Sequence, residues 1–195
     1  MEPWQPGGMP EMVFEYILKQ KGLDPAADLS IDQSIDFGST AAAFSGGTGD
    51  FTVEFEPGAT SLEKEGKGYV VASLGVDSGY VPYTSYSAKT SFLNENPQVI
   101  QSFTNALQKG MDYVQNHSPE EIAQMISPQF PETDMDTLTT IVNRYYEQDT
   151  WKENLVFEKD SFELLQDILE GAGELEKRVD YEQLVTTEFA NAAIN

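Results

Sequence analysis

The stretch Phe44-Ser45-Gly46-Gly47-Thr48-Gly49-Asp50-Phe51-Thr52-Val53-Glu54-Phe55-Glu56-Pro57 decides how this chain is read. Its first half is a glycine-rich turn. From Phe51 the residues alternate: Phe51, Val53 and Phe55 fall on one face, Thr52, Glu54 and Glu56 on the other. That is the period of a strand. Pro57 has no N–H to give to a ladder and ends it. A turn, a short strand and a Glu-Pro mouth suit an α/β cleft at a strand's carboxyl end. On spacing alone the plainer reading comes first: a strand and its turn, with Glu54 and Glu56 solvated. Asp50, Glu54 and Glu56 lack the regular spacing of calcium loops, so a metal site is not expected.

On the amino-terminal side, Pro10 and Glu11 open a predicted helix to about Gln20. Its apolar face is Val13, Phe14, Ile17 and Leu18, and Gly22 is its C-cap. Gly7 and Gly8 let the backbone approach a ligand closely, with N–H groups of Met9 and Glu11 nearby. Leu29, Ile31 and Ile35 alternate with polar residues and predict a strand over 29–36. Gly38-Ser39-Thr40 starts a short alanine-rich helix to Phe44. After Pro57 a helix over 59–65 ends at Gly66. The run Tyr69-Val70-Val71-Ala72-Ser73-Leu74 predicts a strand buried on both faces. Helix and strand thus alternate three times, the pattern of a parallel α/β lobe.

The pattern breaks at 75–82, where a domain crossing is placed between residues 1–78 and 79–195. An extended segment from Tyr83 to Ala88 follows. Beyond it the chain reads as helix. Asn96-Pro97 opens a long helix lined by Val99, Ile100, Phe103, Ala106, Leu107 and Val114. Ser118-Pro119-Glu120-Glu121 is a capping box. Asp134 caps a helix carrying Leu138, Ile141, Val142 and Tyr145. Asp160 with Glu163 opens another, and Asp180 with Gln183 a last one through Phe189. Their stripes are helical core faces. His117, near the end of the long helix, and Trp151, in a loop, read as structural.

Composition narrows the function. The 195 residues carry 33 acidic against 11 basic side chains, a net charge of -22, with a pI near 4.1. Such a surface repels phosphate backbones and anionic lipid, which argues against nucleic-acid or membrane-surface binding. Neither end shows a helix-turn-helix or a basic face. With no cysteine and one histidine, thiolate chemistry and histidine metal clusters are excluded within the chain. No cofactor is expected. No run approaches the ~20 apolar residues of a membrane span, and Met1-Glu2-Pro3-Trp4 does not read as an export signal.

Several motifs in order resemble a known family. They are Gly7-Gly8-Met9-Pro10-Glu11-Met12, Gly46-Gly47-Thr48-Gly49-Asp50 with Phe55-Glu56-Pro57, and Glu63-Lys64-Glu65-Gly66-Lys67-Gly68-Tyr69-Val70-Val71-Ala72-Ser73. Val81-Pro82-Tyr83-Thr84 and the helix from Asn96-Pro97 to Gly110 continue them. Together they resemble substrate-binding proteins of ABC transporters, in the nitrate/sulfonate/taurine and thiamine-pyrimidine-precursor class. The resemblance implies two α/β lobes with ligand between them. Residues 1–78 would be most of the second lobe. Residues 79–195 would be the return crossover and the helices packing on a first lobe that is largely missing. Relatives carry about a hundred further residues before the Gly-Gly-Met-Pro motif, a domain-sized block. The expectation is therefore an amino-terminally truncated member.

The expected function is the extracytoplasmic solute-binding component of an importer, serving a membrane permease and not acting as an enzyme. Donors would come from Gly8, Met9, Ser39 and Thr40. Phe55 and Tyr83 would give flat apolar contact, and Glu56 would accept from an amino-pyrimidine edge. An anionic sulfonate or nitrate would instead favour the helix starts. Other readings are a pyrimidine-synthesising enzyme, opposed by the missing cysteine and histidine clusters, a ligand-sensing module, and a non-functional remnant. Apolar helix faces without a sheet to cover them would drive self-association or poor folding.

Overall fold

A computed structural model describes residues 8–194. Gly7, half of the expected glycine pair, and the Met1–Pro6 segment lie outside the described residues. In chain order the helices are α1 (Met9–Gln20), α2 (Pro25–Asp28), α3 (Thr40–Ser45), α4 (Gly58–Lys64), α5 (Leu74–Asp77) and α6 (Thr90–Glu95). They continue with α7 (Pro97–Asn116), α8 (Pro119–Ile126), α9 (Met135–Glu147), α10 (Lys159–Gly171), α11 (Tyr181–Leu184) and α12 (Glu188–Ile194).

The helices start and stop where local chemistry says they should. Gly8 precedes α1, Pro10 sits in its first turn, and Gly22 closes it at φ 80°, a conformation that favours glycine. At α8 the capping box is complete. The Glu121 N–H donates to Ser118 Oγ, and the Ser118 N–H donates to the Glu121 carboxylate. Asp134 caps α9, where one carboxylate oxygen accepts the Thr137 N–H at 3.0 Å and the other its hydroxyl at 2.6 Å. Helix α10 begins at Lys159, and its N-cap position is Glu158, two residues before the expected Asp160 cap. The expected last helix is two pieces, α11 and α12.

The expected α/β class is corrected. Among the described residues there is no strand, so there is no parallel-sheet lobe. The segments 29–34, 51–55 and 69–73 run as irregular connectors, and Leu74 already belongs to α5. Most of their large side chains stand in solvent: Tyr69 is 86%, Phe51 79% and Val71 75% exposed, while Ile31 and Val53 are half-buried. The run expected to be buried on both faces is thus exposed. The physical reason is that a helix closes its own hydrogen bonds, whereas a strand exists only beside another strand. Alternation and β-branched residues describe a side chain's fit to a pleated surface and cannot create the neighbour.

Burial is instead carried by helix pairs. One core packs Met12, Val13 and Ile17 of α1 against Ile168 of α10, with Met9, Leu74, Val81 and Leu164 around them. The other packs Ile122 and Ala123 of α8 against Leu138 and Val142 of α9, flanked by Tyr113, Val114 and Trp151. Trp151 meets Tyr145 edge-on at 6.0 Å, and its carbonyl accepts from Gln115. His117 caps α7, stacks on Tyr113 at 3.7 Å and donates through Nδ1 to that residue's carbonyl. Both residues are engaged structurally. Further contacts join α3 to α4, α4 to α9, α12 and α6 to α7, α5 and α2 to α1, and α11 to α10. Among the described residues no helix is long and apolar enough to cross a membrane.

The Asp134 cap gives a pH signature. Hydrogen bonds from Thr137, then from Lys64, hold its carboxyl well below the usual range. A depressed native pKa stabilises the fold above the unfolded value of about 4, and that stabilisation is lost as pH falls through the native value. Asp134→Ala should therefore lower the urea midpoint at neutral pH, and the gap to wild type should close on acidification below about 4. A gap that persists in strong acid would show that the cap acts through something other than its charge.

Candidate functional site

The opening stretch ends against α9. Glu56 lies one residue before Pro57, the N-cap of α4, and its carboxylate is 9% exposed. One oxygen accepts the Thr60 N–H at 3.0 Å, one of the donors that a helix start leaves without an intrahelical partner. The other accepts Arg144 of α9 at 2.8 Å. The same Arg144 nitrogen reaches the Thr60 hydroxyl at 2.8 Å. Its second terminal nitrogen pairs with Glu63, one turn further along α4. Glu63 in turn accepts the Val70 N–H at 2.8 Å and so holds the connector after α4. The planar guanidinium suits this bidentate sharing better than an ammonium would.

The electrostatics follow. Burial works against the Arg144 charge, but the hydrogen bonds to Glu56 and Glu63 outweigh it and raise its pKa. Glu63 is pulled below its ordinary value by the Val70 N–H first and by Arg144 second. Beside them, burial and the Glu56 charge push the Tyr145 hydroxyl up. All three residues keep their neutral-pH states.

Directly before Glu56, Phe55 meets Tyr83 with ring centroids 5.8 Å apart and planes tilted by 59°. Both rings are partly exposed. Phe55 comes from the 1–78 part and Tyr83 from the 79–195 part, so the pair spans the expected boundary. Of the other expected site residues, Gly8 is the α1 N-cap and its carbonyl accepts from Met12. Met9 opens α1 and packs on the first core together with Val81. Ser39 is exposed and precedes Thr40, the first residue of α3. Helix α3 packs on α4, and the Phe44 ring lies where a side chain at Gly68 would collide with it, 2.9 Å from an added Cβ. The structure thus brings Phe55, Glu56 and Tyr83 together. Gly8 and Met9 sit at the α1 end and Ser39 and Thr40 at the α3 end.

Two hollows are larger than these contacts. One, about 460 Å³, lies between α1, α2 and the connector after them, lined by Glu15, Lys19, Asp24, Leu29 and Gln33. The other, about 500 Å³, lies along α8 and α9, lined by Glu120, Asp136, Thr140, Arg144 and Glu147. Both are open and polar, and neither is lined by Phe55 or Tyr83. Among the described residues no cluster of His, Asp and Glu could hold a metal ion.

Arg144, Thr60 and Glu63 are the partners that sequence reasoning missed. A signal existed. Arg144 is one of two arginines in the chain and follows Ile141 and Val142 on a helix whose apolar face is buried. A cation at the border of a core face needs a carboxylate within reach.

Residues 4–127 match the NMT1-like family. Over 184 residues, 94% of its length, the chain is 42% identical to "Putative binding protein YtlA" of Bacillus subtilis (strain 168). It spans 55% of the length of that curated relative. No solved structure matches the chain at a significant level.

The Arg144 junction can be tested by a double-mutant cycle in urea. Glu56→Gln and Arg144→Met should each cost about 2 kcal/mol, less than a fully buried pair because Arg144 keeps some solvent contact. Combined, they should cost clearly less than their sum, since the second change removes the charge that the first left unpaired. Additive losses would mean that the two side chains act independently.

Proposed function

The chain belongs to the NMT1-like family, and from that membership we propose that it captures a small solute as a binding protein and not as an enzyme. The Bacillus subtilis relative, named "Putative binding protein YtlA", supports the reading. In its finer form the reading is the extracytoplasmic solute-binding component of an ABC importer, delivering its solute to a membrane permease. Residues 1–78 and 79–195 then contribute one aromatic ring each, Phe55 and Tyr83.

The single observation that carries the proposal is the Phe55–Tyr83 pair. Two partly exposed aromatic rings at 5.8 Å, one from each part of the chain, form a surface for a flat ring. We assign Gly8, Met9, Ser39 and Thr40 the hydrogen-bonding role. Glu56 acts in this scheme mainly by fixing Phe55: both its oxygens are held by Arg144 and the Thr60 N–H.

The solute class follows from charge. A sulfonate or nitrate needs a cation or an array of N–H groups. Near the rings, Arg144 is shared by Glu56 and Glu63, and Lys152 is held by Asp149 with its Nζ 3.4 Å over the Tyr80 ring. The net charge of -22 adds a general repulsion of anions. A planar, uncharged or cationic heterocycle meets neither obstacle. A pyrimidine-like thiamine precursor therefore fits this proposal better than a sulfonate or nitrate.

A thermal-shift and calorimetry panel of an aminopyrimidine, taurine and nitrate tests it. The aminopyrimidine should raise the melting temperature and the two anions should not. Tyr83→Ala should weaken aminopyrimidine binding about tenfold, the scale of one lost aromatic contact. Binding of taurine or nitrate with no response to the aminopyrimidine would overturn the ring-based assignment. Aminopyrimidine binding untouched by Tyr83→Ala would overturn the site.

A further inference from the structure

Helix α7 carries an apolar stripe that its own chain leaves in solvent. Val99 is 56% and Phe103 46% exposed, and Ala106 and Gly110 are exposed with them. The spacings of four, three and four residues put all four on one narrow line along the helix. The intramolecular contacts lie on other sides. Gln108 is buried and donates to the Glu153 carbonyl, and Gln101 donates to the Phe189 carbonyl. The line itself is covered only beyond Gly110, where Tyr113 and Val114 pack on the second core, so the open stretch runs from Val99 to Gly110. The stripe is extended sideways by Tyr86, which meets Phe103 edge-on at 5.0 Å.

We propose that this stripe pairs with the same stripe of a second copy, the two α7 helices running antiparallel about a two-fold axis midway between Thr104 and Asn105. Under that symmetry Phe103 faces Ala106 of the other copy, and Val99 faces Gly110. Each large side chain meets a small one at both pairs, and the pattern is its own complement, as a two-fold interface requires. Gly110 offers an open slot: a Cβ added there meets nothing within 4 Å. The helix is about 30 Å long, so the contact can run the length of a small domain.

Charge favours this face. Two bodies of -22 repel. Helix α7 contains only Lys109 and Asp112, which cancel, and residues 78–88, which supply Tyr86, contain no charge. Copies meeting here bring no like charges into contact. The inference stands apart from the solute reading: it uses other residues, and either can fail alone.

The test is the mass in solution of the 195-residue chain, by sedimentation and light scattering up to the high micromolar range. The expected species has twice the chain mass of 21.6 kDa, and added salt should tighten it by screening the repulsion. Gly110→Leu fills the slot yet favours the helix, so it should give a monomer with unchanged or higher thermal stability. The chain has no cysteine, which makes cross-linking clean. Val99→Cys combined with Gly110→Cys should oxidise to a covalent dimer. Either alone should not, because each residue lies about 16 Å along the axis from its own copy. A monomer throughout the concentration range overturns the proposal and leaves the stripe to another partner. So does a dimer indifferent to Gly110→Leu, or one in which either single cysteine cross-links as readily as the pair.

Discussion

One guanidinium joins the two parts of this chain at their most informative point. Arg144 of α9 is shared between Glu56 and Glu63, on either side of the first turns of α4. Glu56 simultaneously satisfies the Thr60 N–H, and Glu63 holds the Val70 N–H. Helix α4 with its start, the connector at Val70 and α9 are thus tied around one planar cation. The arrangement depends on every member being partnered. Removing one carboxylate leaves a partly buried charge, which costs far more than the pair contributes. Lys64 reinforces the same junction from the other end of α4, bonding to Asp134 and Asp136 at the start of α9. There the groups are exposed and the gain is small. Burial, not the number of ion pairs, makes Arg144 the one that matters.

What the sequence disclosed and what it concealed divide along a physical line. Helix ends were legible because their chemistry is local: a cap, its N–H partner and the first-turn proline lie within four residues. Ser118 with Glu121, Asp134 with Thr137, and Gly22 all behave as their types and positions imply. The strand assignments at 29–36, 51–56 and 69–74 failed because a strand is a property of two segments. Phe51, Val53 and Phe55 alternate as a strand would, yet among the described residues no second strand lies beside them, and Phe51 stands in water. Residues 69–73 show the limit most sharply. A continuous apolar run is equally what a buried strand and an uncovered connector look like when only one chain segment is read.

The candidate site shows the same division at the level of side chains. Phe55 and Tyr83 were legible as aromatic residues beside turns, and the structure seats their rings together. Their meeting was not derivable from spacing, since 27 intervening residues leave the partner open. Glu56 was legible only as a carboxylate beside a proline. Its partners were not, because they come from α4 and from Arg144, 88 residues away. A carboxylate's role is set by the cation that reaches it, and that is tertiary information.

The acidic composition finally constrains what the surface can do. With 33 carboxylates and 11 bases, most carboxylates have no cation to share, and several of the bases are placed where segments meet. Lys21 reaches Asp77 of α5, Lys159 reaches Glu182 of α11, and Arg178 gathers Glu163, Asp167 and Glu170 of α10. Bases used this way are not available to an incoming anion. The same scarcity makes the uncharged stretch around Tyr80, Tyr83 and Tyr86, and the nearly uncharged α7 beside it, unlike the rest of the surface. Contact with a neutral ring or with another polypeptide is least opposed where the field is weakest. Exposed aromatic side chains add apolar area there without adding charge. Apolar contact is therefore least opposed on these uncharged faces, while the acidic remainder repels anions and other acidic surfaces.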